Sequence, residues 1–388
     1  MNRLVGVLCM TLCACIMLTG CWDVKTISDY NFVTALGIDY AEGKYKIYTE
    51  LMDFGSISNQ EEGGDGGSER ATVWVGRSEG ETLFAAINEL YKTGQQSLYW
   101  DHLMAIVLSK SVLQKDINRF IDSIPRFPQI RYNSWIFGTD ESIDEVFKHS
   151  TFFNFSPISN LLHNPLVLHK QLSVIAPIRL NKVLANEGEP GETDLIPTLS
   201  MDKKDWEDND KPQPVLFMNG AFALNNGKAQ HSFTEKQLNG VKWVQPQMKR
   251  AVIPVVRNHK AFGMVTLFNP KKKIHIAAAK AGKPVFEMDL MFTGIIEEML
   301  DDSPVELIRE NAEMGIRSEV LNTFKIGIAK HVDLYGLEQF LYRNNNKEWK
   351  RLRSSGVNGE LMLTEDSLKK VNVHVNILHS GMNDMKPY

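Results

Sequence analysis

The spacing of apolar and polar residues predicts a β-hairpin around residue 40. Residues at every second position from Phe32 to Ile38, and again from Tyr45 to Leu51, are mostly apolar. Alternation with a period of two is typical of a strand that buries one face. The stretch 55–70 that follows is rich in Gly, Asp, Glu and Ser, so we expect a long loop there.

Beyond this loop, short apolar runs alternate with stretches of helical periodicity. Strands are predicted at 71–75, 99–108 and 131–137, and helices at 81–92, 112–124 and 142–148. Residues 152–184 have a mostly helical but irregular pattern broken by prolines, and a strand is predicted at 195–199. This succession predicts an N-terminal α/β region over 22–200, with two subdomains that meet near residue 150. The acidic, proline-bearing stretch 201–214 is predicted to be a linker.

The pattern after the linker indicates a second region, 215–388. Strands are predicted at 215–224, 229–233, 250–256, 262–268, 273–279, 285–293 and 371–378, mostly joined by short turns such as Asn225-Asn226-Gly227-Lys228. Short turns between successive strands favour an antiparallel sheet. A short helix is predicted near Thr234.

A long helix is predicted between the last two of these strands. We expect Ser303 as its N-cap, Pro304 at its first position and Glu306 completing a capping box. Its apolar face is Ile308, Ala312, Ile316, Val320, Phe324 and Ile328. The expected fold class is therefore α+β: a multi-domain chain of mixed sheets with packed helices, ending in an antiparallel sheet with one long helix.

The first 20 residues have the features of a secretory signal. One positive charge, Arg3, precedes an apolar run from Leu4 to Met17, which is too short to span a bilayer. Leu18-Thr19-Gly20-Cys21 resembles the bacterial lipobox, which implies a lipoprotein signal peptide over 1–20. Cys21 would then carry a diacylglycerol thioether and an N-acyl lipid such as palmitate, and no other cofactor is expected. The alternative is an ordinary cleaved signal that leaves Cys21 as a plain thiol.

Composition narrows the possible functions. Three of the four cysteines, Cys9, Cys13 and Cys15, lie in the predicted signal, so no disulfide or thiol-ligated metal site is expected after cleavage. Without Arg3 the chain carries 42 Lys and Arg against 47 Asp and Glu, a net charge of −5. This balance gives no indication of nucleic-acid binding, and the membrane attachment is expected to come from the lipid and from partners.

The sequence contains one catalytic motif, and it lacks the required context. Gly76-Arg77-Ser78-Glu79-Gly80 matches a nucleophile elbow, but Ser78 comes too early to follow the central strands of a parallel sheet. A helix cap at Ser78 or a neighbour is the simpler interpretation.

Other charged groups also have simple interpretations. His163 and His169 are six residues apart, which places them on different faces of a helix. The acidic run 297–302 is interpreted as a solvated helix end, and Lys271-Lys272-Lys273 as the tip of a hairpin. We therefore predict no catalytic residue and no metal site.

Five short stretches, taken in order, resemble the Ger(x)C family, the lipoprotein C subunits of spore germinant receptors. They are Gly20-Cys21-Trp22-Asp23 with the strand 32–39, Gly80 to Ile87, Leu98-Tyr99-Trp100-Asp101-His102-Leu103, Gly220-Ala221-Phe222-Ala223, and Asp333 to Gly336 with Glu348-Trp349. The chain departs from the family at Thr26, where an acidic residue is usual, and at Leu334-Tyr335, where the family has Ile and a variable residue.

The resemblance implies a non-enzymatic receptor subunit with a fold of about three domains, needed for nutrient-triggered spore germination. Its implied partners are the membrane and two polytopic subunits, A and B, at the outer face of the spore inner membrane. Trp22 and Asp23 are candidates for the membrane-proximal layer. His102, Arg131 and Asp333 are candidates for partner-facing or structural roles.

Two other classes of protein stay open at this point. A free-standing solute-binding lipoprotein is the second interpretation, although the strands after the linker lack the parallel βαβ repeats typical of two-lobed binders. A surface hydrolase that uses Ser78 ranks third.

Overall fold

In the computed structural model, the described residues are 6, 30–52, 73–115, 117–127, 129–149, 152, 157–225, 228–280, 283–355 and 361–379. The predicted loop 55–70 lies outside them, as does the predicted signal apart from residue 6. The α+β class is confirmed, because two mixed sheets are packed with helices and the second sheet carries one long helix.

Within the described residues, the first sheet has ten strands and a parallel centre. The strands described up to residue 234 are β1 (Tyr30–Ala41), β2 (Lys44–Met52), β3 (Val73–Gly80), β4 (Ser97–Tyr99), β5 (Ala105–Ser109), β6 (Trp135–Thr139), β7 (Ile178–Arg179), β8 (Thr193–Asp202), β9 (Glu207–Asp208), β10 (Lys211–Pro212), β11 (Val215–Asn225) and β12 (Lys228–Thr234). The sheet order is β12-β11-β8-β6-β5-β1-β2-β3, with β4 beside β1 and β7 beside β6. β1, β5, β6 and β8 pair in parallel, and the predicted hairpin is confirmed as β1–β2.

The central strands are continuous apolar runs because both of their faces are covered. Residues 33–38 of β1 and 105–108 of β5 are all buried. The helices of this region are α1 (Leu83–Tyr91), α2 (Lys110–Lys115), α3 (Ile117–Ser123), α4 (Ile143–Lys148), α5 (Pro165–Gln171) and α6 (Leu180–Asn186). α1, α2, α3 and α6 bury apolar residues in one core, whereas α4 packs into a separate core with Ala35, Val107 and Phe137.

Among the residues that the structure describes, the second sheet has four strands and is crossed by a long helix. Its strands are β13 (Ala251–Arg257), β14 (Lys260–Lys280), β15 (Lys283–Met299) and β16 (Leu368–His379), and the accompanying helices are α7 (Val241–Val244), α8 (Val305–Ala329), α9 (Leu337–Asn344) and α10 (Asn346–Ser355). The predicted antiparallel arrangement is confirmed for β13, β14 and β15, while β16 joins β15 in parallel. Ile308, Ala312, Ile316, Val320 and Phe324 of α8 are buried, as their spacing predicts.

The predicted linker 201–214 joins two neighbouring strands of the first sheet. β8 and β11 pair antiparallel from Val215 opposite Asp202 to Asn225 opposite Thr193, and the short β9–β10 hairpin lies between them. The polar residues of this stretch therefore belong to an exposed hairpin. The division of the chain into domains at this point stays a prediction.

Three local predictions in the second region are wrong. Lys271–Lys273 lie inside β14, because the break at Asn269-Pro270 falls where the pairing with β15 shifts register instead of at a turn. The acidic run 297–302 begins in β15, where Glu297 lies 3.7 Å from Arg250. The capping box of α8 does not form, because α8 begins at Val305 with Pro304 instead of Ser303 at the N-cap, and Pro304 has no side-chain acceptor; Glu306 pairs with Arg309.

Truncating the centre of α8 should destabilise the protein strongly. Ile316 is fully buried, so Ile316→Ala leaves a cavity and should lower the free energy of unfolding by about 3 kcal/mol, measured by urea denaturation. Met314→Ala on the exposed side of the same helix is the matched control and should cost less than about 0.5 kcal/mol. Equal losses in the two variants would contradict the assigned packing face.

Candidate functional site

Two of the sequence-predicted residues, His102 and Arg131, lie at one edge of the first sheet. β1, β5 and β6 run in the same direction, so the residues that precede them meet at the same edge. Tyr30 begins β1, His102 lies three residues before β5, and Arg131 lies four residues before β6. We name Tyr30, Phe32, Tyr99, His102 and Arg131 the amino edge.

Aromatic rings pack closely at the amino edge. The ring centroids of Tyr30 and Tyr99 are 4.3 Å apart, and those of Phe32 and His102 are 4.7 Å apart at 85°. Such edge-to-face pairs stabilise the arrangement of the rings beyond simple burial. β1 pairs with β4 in parallel, with Phe32 opposite Tyr99, and this pairing brings the rings together.

His102 is exposed in a turn, which corrects the prediction that it lies inside a buried strand. The predicted strand 99–108 is interrupted, because β4 ends at Tyr99 and the N–H of Leu103 donates to the carbonyl of Trp100 at 3.0 Å. The indole of Trp100 is buried and donates to the hydroxyl of Tyr91 at 3.0 Å. The apolar residues around His102 therefore pack inward while its imidazole faces out.

Arg131 lies in a loop that is fixed to the same turn. The Ser134 hydroxyl is within hydrogen-bonding distance of the carbonyl oxygens of Leu103, at 2.7 Å, and Arg131, at 3.0 Å. Arg131 is exposed and precedes the strand, which begins at Trp135 instead of residue 131. The amino edge thus combines two exposed residues, Arg131 and His102, with partly buried aromatic rings, a combination suited to a polar surface or a protein partner.

Cys21, Trp22 and Asp23 lie outside the described residues. Cys21 is nine positions before Tyr30, so an extended chain would reach at most ~30 Å between them. Tyr30, at the amino edge, is the first described residue after Cys21.

Asp333, the third candidate, is remote from this edge and buried in the second region. Its carboxylate accepts hydrogen bonds from the backbone N–H of Tyr335 at 3.2 Å and of Glu338 at 2.7 Å. Burial and the nearby Glu338 raise the pKa of Asp333 to about 7, although the backbone donors oppose this shift. Asp333 holds the turn that leads into α9, where Gly336 has a φ of 66°.

The residues around Asp333 connect three segments of the second region. The buried Glu338 carboxylate accepts from the N–H of Met362. The Tyr335 hydroxyl donates to the carbonyl of Val320 on α8 at 2.7 Å, and its ring stacks on Phe324. These contacts indicate a structural role for Asp333. The helix α9 was not among the elements predicted from the sequence.

Ser78 is not placed as a nucleophile. It lies in the antiparallel strand β3 and its hydroxyl donates to the carbonyl of Ala86 at 2.6 Å. The N-cap of α1 is Thr82, whose side chain accepts from the N–H of Ala85. The cap therefore belongs to a neighbour of Ser78, one of the two possibilities left open by the sequence.

His163 and His169 are both buried, and they have separate surroundings. His163 Nε2 lies 2.9 Å from the buried carboxylate of Glu50 on β2. His169 Nε2 lies 3.1 Å from the carbonyl of Gln247, and burial lowers the pKa of His169. In the part of the chain that the structure describes, no group of three or more His, Cys, Asp or Glu side chains is arranged to hold a metal ion. Within the described ranges, no helix combines the length and the apolar composition needed to cross a bilayer.

Comparison with known proteins matches nearly the whole chain to spore germination proteins. The family model for the spore germination protein N-terminal domain matches residues 23–201, and the spore germination B3/GerAC-like C-terminal model matches residues 219–381. Among curated Bacillus subtilis (strain 168) proteins, the putative spore germination protein YfkR is 23% identical over 317 residues, covering 81% of this chain and 79% of its own. Spore germination protein KC is 19% identical and covers 89% of both chains.

A solved structure has the same fold. The crystal structure of the GerBC protein aligns with a TM-score of 0.55 over 88% of this chain and 96% of its own, at 15% sequence identity.

Stability should fall as the pH rises, in part through Asp333. The pKa of its carboxyl is about 7 when folded against an ordinary 3.8, so the unfolded chain loses this proton first and the folded state weakens between about pH 4 and pH 7. The buried carboxyl of Asp194 acts in the same direction, with a pKa of about 7. Asp333→Ala should therefore reduce the difference in urea stability between pH 5 and pH 8.

The same variant should cost about 2 kcal/mol at pH 5, because buried backbone N–H groups lose their acceptor. Asp208→Ala in the exposed β9 is the control and should leave both quantities unchanged. A pH dependence identical in Asp333→Ala and the unsubstituted protein would contradict this account.

Proposed function

Because the chain belongs to the GerAC family of spore germination proteins, we propose that it is the lipoprotein C subunit of a germinant receptor. In this role it has no catalytic activity of its own and acts with two polytopic subunits, A and B, in nutrient-triggered germination. The observation that carries the proposal is the match of two successive family models, over 23–201 and 219–381. Relatives named spore germination protein A3 and B3 support it.

The proposed location is the outer face of the spore inner membrane, with the protein held there by lipid. Leu18-Thr19-Gly20-Cys21 supports acylation of Cys21, which becomes the mature N-terminus. A diacylglyceryl chain together with an N-acyl chain provides the two anchoring signals that stable membrane attachment needs. Trp22 and Asp23 follow directly and lie at the headgroup layer, where an indole ring is favourably placed.

The amino edge is the surface that we propose faces the membrane and the polytopic subunits. It begins nine residues after the proposed lipid, and His102 and Arg131 are both exposed there. Asp333 instead has a structural role in the turn before α9, because it is buried and accepts hydrogen bonds from backbone N–H groups. The positions of Ser78, His163 and His169 offer no support for a hydrolase.

Affinity purification of the tagged, acylated chain from spore membranes tests the receptor-subunit proposal. Recovery with two polytopic membrane proteins is the expected result. Recovery alone, or together with a transport permease and an ATPase, would favour the solute-binding lipoprotein and overturn the proposal.

Replacing Cys21 should release the protein from the membrane. Cys21→Ala removes the thiol that takes the lipid, so most of the chain should leave the membrane fraction of spores and nutrient-triggered germination should be lost. Cys13→Ala, inside the predicted signal, is the matched control and should behave like the unsubstituted protein. Full membrane retention with normal germination in Cys21→Ala would rule out the tether.

Reversing the charge at the amino edge should weaken receptor assembly without unfolding the protein. Arg131 is exposed, so Arg131→Glu should lower recovery of the polytopic subunits several-fold while the melting temperature changes by less than about 2 °C. Lys236→Glu, an exposed charge reversal beside β12, is the control and should leave recovery unchanged. Normal recovery with Arg131→Glu would show that partners bind elsewhere.

A further inference from the structure

The first sheet has a second edge, opposite the amino edge, where its connections diverge. After β5 the chain enters α2, which packs its Val112 and Leu113 into the core on one face of the sheet. After β6 it enters α4, which packs Ile143 and Phe147 into the other core. Neighbouring parallel strands whose connections leave to opposite faces create a crevice outside their carboxyl ends, and open α/β sheets bind ligands there.

A crevice of about 510 Å³ occupies this position. This volume is in the range of small-molecule sites. Polar residues at the ends of the three parallel strands line it: Asp39 of β1, Ser109 and Lys110 at the end of β5, and Thr139 and Asp140 at the end of β6. Tyr48 of the antiparallel strand β2 and Glu141 lie beside them. The crevice therefore combines the topology and the size of a ligand site.

The wall on the β1 and β5 side is held by hydrogen bonds. The Ser111 hydroxyl and the N–H of Tyr40 both donate to Asp39 Oδ1, each at 2.8 Å. Ser109 and Ser111 are joined through their hydroxyls at 2.7 Å. These bonds fix the Asp39 carboxyl at the end of β1, where it lines the crevice.

The β6 side is also fixed, and an ion pair connects the two sides. The Glu141 carboxylate accepts from the Ser200 hydroxyl at 2.6 Å, and the N–H of Glu141 donates to the Thr139 hydroxyl at 3.0 Å. Lys110, which follows β5, lies 3.2 Å from the carboxylate of Asp140, which follows β6, and both side chains are exposed. An ion pair at so exposed a site is weak, so a ligand can replace either partner at little cost.

The balance of charge in the lining selects a class of ligand. Three carboxyl groups, Asp39, Asp140 and Glu141, face one ammonium group, Lys110. Burial and the neighbouring Asp39 raise the pKa of the Tyr48 hydroxyl above its ordinary value of 10.0, against the opposing charges of Lys46 and Arg77, and the hydroxyl is a donor at neutral pH with or without this shift. Excess negative charge among hydroxyl groups favours a cation that can also form hydrogen bonds.

We propose that this crevice binds a small polar molecule that carries an ammonium group. The ammonium group of the ligand pairs with the carboxylates of Asp39 and Asp140 and displaces Lys110 from Asp140. Lys110 and the serine hydroxyls, which lie beside these carboxylates, bind the polar groups of the same small molecule. The site goes beyond the proposed receptor role, because it depends on the sheet of this chain alone and needs no partner subunit.

Isothermal titration calorimetry on the full acylated chain in detergent tests the site with paired probes. Ethanolamine and glycine carry an ammonium group, whereas ethylene glycol and glycolate are their matched analogues without one. We expect both ammonium probes to bind in the millimolar range and each analogue to bind at least ~10-fold more weakly. Absence of binding by both ammonium probes up to 100-fold above this range (~100 mM), or equal binding of the analogues, would overturn the proposal.

Substitutions then locate the binding. Asp140→Asn keeps the shape of an exposed side chain and should weaken ethanolamine binding about five- to tenfold, the loss expected for one partly screened charge. Asp39→Asn should weaken it at least as much, with circular dichroism to confirm the fold. Asp208→Asn, in the exposed β9 hairpin, is the matched control and should bind like the unsubstituted protein.

Unchanged affinity in Asp140→Asn would place the ligand elsewhere and overturn the assignment, even if Asp39→Asn fails to fold. This test does not depend on recovery of the polytopic subunits, so its failure and the failure of the proposed receptor role can be told apart.

Discussion

The parallel pairing of β1 with β5 determines the form of the first region. Both strands are buried on both faces, and their pairing runs from Ala35 opposite Ala105 to Ile38 opposite Leu108. Continuous burial of this kind requires helices on both sides of the sheet. Because the two strands run in the same direction, their starts define the amino edge and their ends define the crevice. One pairing therefore separates two chemically different surfaces.

The second region is held by a long apolar helix together with buried polar groups. Trp243 is fully buried, and its indole N–H donates to the Glu319 carboxylate on α8 at 2.6 Å. Asp333 and Glu338 are also buried and bind backbone N–H groups instead of basic side chains. Ala221 and Phe233, from strands of the first sheet, lie in the same apolar core as α8. The two regions are thus parts of one packed structure.

Periodicity in the sequence predicted those elements whose burial follows a regular spacing. The β1–β2 hairpin and the buried face of α8, from Ile308 to Phe324, are examples. The turn at His102 was missed because the residues around it are apolar, as in a buried strand. The continuation of β14 through Asn269-Pro270 was missed because these two residues have the composition of a turn. Local pattern also cannot show which strands become neighbours. Asp39, Lys110 and Asp140 are separated by up to about a hundred residues, and only the sheet order brings them to one crevice.

The pairing of β8 with β11 has a consequence for how the chain can be divided. The N-terminal family model ends at residue 201, but ten residue pairs join β8 to a strand that begins at Val215. A fragment that stopped at 201 would expose the edge of β8 with its backbone N–H and carbonyl groups unsatisfied. Such an edge can pair with that of a second fragment and lead to aggregation. The boundary between the two family models is therefore a poor place to cut the polypeptide, and the two halves should be expressed as one chain.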